Sequence, residues 1–220
     1  GNFPNAVLLP AMRKVEGLEL IAAYDPIGAN AQQTAKKFGF KYASSNIQRI
    51  LEDPAVNVVA IATRHNQHSG QVIAGLKAGK HVFCEKPLCM NEGELEKIIK
   101  IHGKPSPLSS PLKRDRSGVE DKEEGRGEGE TNPILMVGYN RRFSPMAVEL
   151  KSFFSKVLEP LAINYRINAG EIPLKHWIQD HKEGGGRIIG EVCHFVDFIT
   201  FLTGSRPMKV YARSLPNQGR

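Results

Sequence analysis

Two nearly uninterrupted apolar runs, residues 18–24 (LELIAAY) and 56–62 (VNVVAIA), constrain this chain most. Strands that are apolar on both faces belong in a parallel sheet covered by helices on each side. Between and after them the period changes to that of helices. Residues 29–38 read as a helix with Gly39 as its C-cap. Residues 47–52 form a short helix, and a longer one follows residues 63–66 and ends at Ala78 before Gly79. Asn91, with Glu94 three residues on, caps a helix to about Ile101. Residues 134–137 are the last strand of the series. The alternation predicts an α/β domain with a Rossmann-type parallel sheet over residues 1–138. Residues 103–132 interrupt it. They are rich in Pro, Ser, Gly and charge, and are expected to be a disordered insert.

Residues 139–220 read as the start of an α+β domain with an open, mostly antiparallel sheet. Residues 146–154 are an amphipathic helix. Residues 161–169 alternate in the period of a half-covered strand. Residues 187–202 read as one helix ended by Gly204, and 209–212 begin a further strand.

The chemistry-bearing stretch is residues 81–88, HVFCEKPL. A strand delivers Glu85 and Lys86 directly before Pro87, which biases Lys86 towards an extended backbone. An amine at the C-terminal end of a strand lies where open α/β sheets bind ligands. It can hydrogen-bond a hydroxyl that loses its proton and steady the alkoxide. The plain alternative is a surface lysine paired with Glu85. His194 is the second candidate, on one helical face with Glu191 and Asp197; the alternative is a satisfied core histidine. Asp25 ends a strand about 20 residues past a glycine turn, the place of a ribose partner, or of an ordinary turn aspartate. His65 and His68 are three apart, but no third ligand stands at a metal-site spacing. No metal is expected.

The net charge is +7. The basic residues are mixed with acids and carry no interleaved aromatics, which argues against a nucleic-acid partner. Three cysteines without a CxxC pair suggest a reducing, cytoplasmic setting. No apolar run is long enough to suggest a membrane span.

Four stretches in order, VVAIATRHNQHSGQVIAGLKAGK, GKHVFCEKPL, VGYNRRFSP and GGRIIGEVCHFVDFITFLTG, resemble the Gfo/Idh/MocA family, the glucose-fructose oxidoreductase and inositol dehydrogenase group. The resemblance implies hydride transfer between a nicotinamide cofactor and a secondary alcohol of a sugar, sugar nucleotide or cyclitol, in a protein that is a homo-oligomer at full length. It implies that Gly1, Asn2 and Phe3 are the remnant of the dinucleotide fingerprint. Asp25 would hold the ribose, favouring NAD over NADP. Thr63, Arg64, His65, His68 and Glu85 would line the cofactor site. Lys86 would polarise the hydroxyl, with His194 as general base and Glu191 orienting it. Asn140, Arg141, His176, Trp177 and Asp197 would meet substrate. The family commonly carries an Asp four residues before the histidine, where this chain has Gly190. Its rivals are a non-catalytic binding or oligomerisation module of a fused enzyme, and a same-fold dehydratase or glycosidase using the cofactor transiently. Both ends look cut. The segment 1–220 is therefore expected to bind NAD weakly and to be inactive alone.

Overall fold

The structure is a computed structural model that describes residues 3–103 and 132–214. Gly1, Asn2 and nearly all of the expected insert lie outside the described residues.

Among the described residues, five short strands form two parallel sheets. β1 (Ala22–Tyr24) pairs with β2 (Tyr42–Ser44), in the register Ala22 to Tyr42. β3 (Val58–Ile61), β4 (His81–Cys84) and β5 (Leu135–Val137) make the second sheet, in the order β3-β4-β5. Val58 faces His81, and Val82 faces Leu135. β1 and β3 do not pair with each other. The two sheets are the halves of a doubly wound order, and the strand that would join them is not among the described residues.

Helices fill the connections. A π-helical turn, Pro4–Leu8, leads into α1 (Leu9–Met12), and neither buries a residue. α2 (Gly28–Phe38) buries Ala31, Ala35 and Phe38 and stops at Gly39, whose φ of 82° is left-handed. α3 (Ile47–Leu51) starts at Asn46, whose side chain accepts from Gln48 N at 3.0 Å. α4 (His65–Lys77) covers the second sheet. A Cβ on Gly75 would fall 2.9 Å from Val82 Cγ2, so glycine there lets helix and strand approach. α5 (Glu92–His102) carries the expected cap: Asn91 accepts from Glu94 N at 3.0 Å, and Glu94 reaches back to Met90 N at 2.8 Å. The core between these elements is Ile61, Val72, Leu76, Val82, Cys84 and Ile98. Each large aliphatic side chain so buried contributes roughly 1.5–3 kcal/mol. It fixes the C-terminal ends of β3 and β4 side by side.

The second part departs from expectation. Among the described residues, 139–214 hold no strand. Residues 161–169 have the alternation of a strand but no ladder partner, and they are exposed. They are tied down instead by Arg187, which donates to Ala169 O at 2.9 Å and to Gly170 O. Tyr165 adds edge-on contact with Phe195 at 5.4 Å. Residues 209–212 form no strand either. α6 (Pro145–Phe154) is capped by Ser144. The helix expected over 187–202 runs without a break from 186 to 203, a π turn at Ile188–Val192 leading directly into α7 (Cys193–Thr203). The first expected strand is also shorter than its apolar run. Residues 20 and 21 accept from Lys41 N and Tyr42 N, but only Ala22–Tyr24 is strand.

Candidate active site

The ends of β3 and β4 set the site. Beyond β3, Thr63 donates its hydroxyl to Gln71 Oε1 at 2.9 Å, and α4 begins at His65. Beyond β4 come Glu85 and Lys86, with a cis Lys86–Pro87 peptide. His68 is buried between the two loops. Its Nδ1 lies 2.7 Å from Pro87 O and its Nε2 3.2 Å from Thr63 O. It joins the loops to each other. Burial holds its pKa below the ordinary histidine value.

Residues 176–190 close over the β3 loop. Arg64 pairs with Glu183 and lies over the Trp177 ring, 5.6 Å from its centroid. Glu183 O accepts from Asn66 N at 3.1 Å. His65 is buried, donates from Nδ1 to Gly184 O at 2.8 Å, and meets Trp177 edge-on at 4.9 Å. Burial lowers its pKa. Arg64, His65 and Trp177, expected to contact ligand, hold the two parts of the chain together. His176 caps the turn Trp177–Gln179, its Nδ1 accepting from Ile178 N at 3.3 Å. Sequence spacing gave no sign of Glu183 or Gly184 as partners.

Lys86 donates from Nζ to Gly190 O at 3.0 Å, so the amine at the strand end faces the π turn. Glu85 lies against Gly138, where an added Cβ would stand 3.1 Å from Oε1. Burial raises its pKa, and the Lys86 backbone N–H and charge oppose that. His194, at the start of α7, is 9% exposed, and its Nδ1 is buried with no hydrogen-bond partner. Burial first, then the nearby Lys86 and Arg141 charges, lowers its pKa to about 4. Tyr139 packs edge-on to the imidazole at 6.1 Å, and burial pushes its phenol up to about 12.

The acids expected around His194 are engaged elsewhere. Glu191 pairs with Arg187 at 3.2 Å, one turn back, rather than holding the imidazole. Asp197 is held by Arg142, whose Nε donates to Oδ2 at 3.0 Å. The arginine of the NRRF turn that pairs with Asp197 is thus Arg142. Arg141 stacks over Phe195 at 4.9 Å, and Asn140 is exposed beside it. At the other sheet, Asp25 follows β1 and accepts from Ile27 N at 2.8 Å and Asn30 Nδ2 at 3.4 Å, an Asx turn at the start of α2. Phe3 is 41% exposed. Among the described residues no group of three or more His, Cys, Asp or Glu is placed to hold a metal. No helix among them is long and apolar enough to cross a membrane.

For a dinucleotide, the fit is visible at the reacting end. The Lys86 amine stands beyond the end of β4, where such folds bind ligands, and it faces the π turn that leads into α7, which carries the buried, unpartnered imidazole nitrogen of His194. Asp25 ends β1 on the other sheet.

These features define an α/β protein of the dinucleotide-binding class. Residues 1–106 match the family described as "Oxidoreductase family, NAD-binding Rossmann fold", GFO_IDH_MocA. The chain is 28% identical over 203 residues to scyllo-inositol 2-dehydrogenase (NAD(+)) of Bacillus subtilis, covering 87% of this chain and 48% of that protein. It is 27% identical to levoglucosan dehydrogenase of Pseudarthrobacter phenanthrenivorans, over 79% of this chain and 40% of that one. Among solved structures, an oxidoreductase domain protein from Kribbella flavida has a TM-score of 0.68 at 21% identity, over 94% of this chain and 51% of the other. The likeness to the Gfo/Idh/MocA oxidoreductase family by that model is carried by residues 1–106. The chain spans about half the length of the curated relatives it matches.

Proposed function

We propose that this site belongs to a nicotinamide-dependent dehydrogenase that oxidises a secondary alcohol of a cyclitol or sugar, and reduces the ketone in reverse. The observation that carries it is the unpartnered, buried Nδ1 of His194 in the field of the Lys86 amine. Relatives named as inositol and levoglucosan dehydrogenases support the substrate class. Asp25 at the end of β1 favours NAD over NADP, since a carboxylate repels a 2′-phosphate.

Lys86 has three protons on Nζ and uses one on Gly190 O, leaving two for a substrate hydroxyl. His194, neutral at pH 7 with its pKa near 4, takes the hydroxyl proton on its imidazole. The carbinol C–H bond then breaks with its electron pair, and the C–O bond becomes a carbonyl. Bound nicotinamide supplies the acceptor for that hydride. Lys86 stabilises the oxygen while it carries negative charge. Arg141 and Asn140, at the exit of β5, would meet the rest of a polyol.

The test is NADH formation by the whole protein with inositols and levoglucosan. Lys86→Ala is expected to lower kcat by about two orders of magnitude or more while NAD affinity stays within a few-fold. A near-normal rate in that variant returns Lys86 to a surface role. No turnover of any polyol, with NAD binding intact, favours a binding module instead.

A further inference from the structure

Lys86 and Gly190 are 104 residues apart in sequence, yet amine and carbonyl meet at 3.0 Å. A Cβ at position 190 would fall 2.9 Å from Cε1 of His65, and 3.5 Å from its Nδ1 and from Ile178 Cδ1. The His65 ring has little freedom to move aside. It donates to Gly184 O at 2.8 Å, meets Trp177 edge-on, and is 6% exposed. His65 therefore admits only glycine at 190. The glycine in turn lets the π turn Ile188–Val192 lie directly against the ring, and at that depth its carbonyl reaches the amine. π turns of this kind are frequent at functional sites.

We propose that His65 is the positioning residue for Lys86, acting through Gly190, so that a backbone oxygen rather than a carboxylate holds the reacting amine. The inference rests on the role given to Lys86 above. The two carboxylates on the neighbouring helix that could have done this work are occupied: Glu191 by Arg187 and Asp197 by Arg142. Glu85 accepts from the backbone N–H of Lys86, and that contact and the Lys86 charge oppose the rise in its pKa that burial causes. A carbonyl cannot take a proton from Lys86, whereas a carboxylate there could relay one. His194 is then the proton acceptor for the hydroxyl, and Lys86 acts by charge and hydrogen bonding alone.

The experiment compares Gly190→Ala, His65→Ala, the double variant and His65→Gln. In the 220-residue chain the readout is the side-chain ammonium resonance of Lys86, which persists only while a hydrogen bond slows its proton exchange. The signal is expected in the unmodified chain. It should be kept in His65→Gln, whose amide can still donate to Gly184 O, and lost in His65→Ala and Gly190→Ala with circular dichroism unchanged. The double variant should be no worse than His65→Ala, because both changes act through one contact. In the whole protein, His65→Ala should lower kcat about 10- to 100-fold with KM for the polyol little changed, as expected for misplacement of a reacting group. A retained signal in Gly190→Ala, or losses in the double variant that equal the sum of the singles, overturns the proposal. If the resonances behave as stated while no polyol is turned over, the positioning stands and the dehydrogenase reading falls.

Discussion

Lowering the pH should destabilise this protein through His194. Its imidazole is nine-tenths buried, and burial with the Lys86 and Arg141 charges brings its pKa from 6.5 to about 4. In the unfolded chain the ring takes a proton near pH 6.5; in the folded chain it resists until about pH 4. A depressed histidine pKa means that the unfolded state binds more protons in that window, so stability falls as pH falls from about 6.5 to about 4. At about 1.4 kcal/mol for each tenfold in proton affinity, the loss comes to roughly 3 kcal/mol. The facing groups are Lys86, Arg141, Asp197 and Glu191. Both cations oppose the imidazolium; the two acids favour it less because each already has an arginine partner. His65 and His68 are shifted the same way by burial, so the wild-type slope alone does not isolate His194. The assay is urea unfolding at several pH values between 7.5 and 4 for the wild type and His194→Gln, with the Cε1–H resonance of His194 followed directly. The difference in slope should amount to about 3 kcal/mol across the window. A resonance that titrates near 6.5, or equal slopes in both proteins, refutes the reasoning. It would also remove the argument that His194 is a neutral proton acceptor in a site that excludes its charged form.

Three other outcomes follow from named contacts. Arg142→Ala leaves Asp197 buried without its partner and should cost about 3 kcal/mol, seen as a fall in Tm of roughly 6–12 °C; replacing both residues with apolar ones should recover most of it, and a Tm within 2 °C of wild type would show the pair to be unimportant. Asp25→Ser in the whole protein should narrow the preference for NAD over NADP by removing the carboxylate, as read by titrating both cofactors, and tighter binding of NADP by the unmodified protein would defeat the ribose assignment. The 220-residue chain should bind NAD weakly or not at all by calorimetry, because among the described residues β1 and β3 each pair on one side only and the turns Pro4–Leu8 and Leu9–Met12 bury nothing; micromolar affinity would overturn that expectation.

The sequence by itself determined the features that depend on neighbours along the chain. Apolar runs marked β1 and β3, a helical period marked α2, α4 and α5, and Gly39 and Asn91 marked their ends, because periodicity and capping operate within a few residues. It also singled out Lys86 and His194 as candidates, through four ordered stretches that resemble one family. Only the tertiary structure decided what those residues touch. His65 meets Gly184 across 119 positions, Lys86 meets Gly190 across 104, and Arg142 meets Asp197 across 55. No spacing rule reaches that far, so Glu191 and Asp197 read as partners of His194 from helical periodicity alone and proved to belong to arginines. The alternation in residues 161–169 shows the same boundary from the other side. A period of two states how side chains would face if a strand formed, but a strand exists only when another backbone supplies its hydrogen bonds.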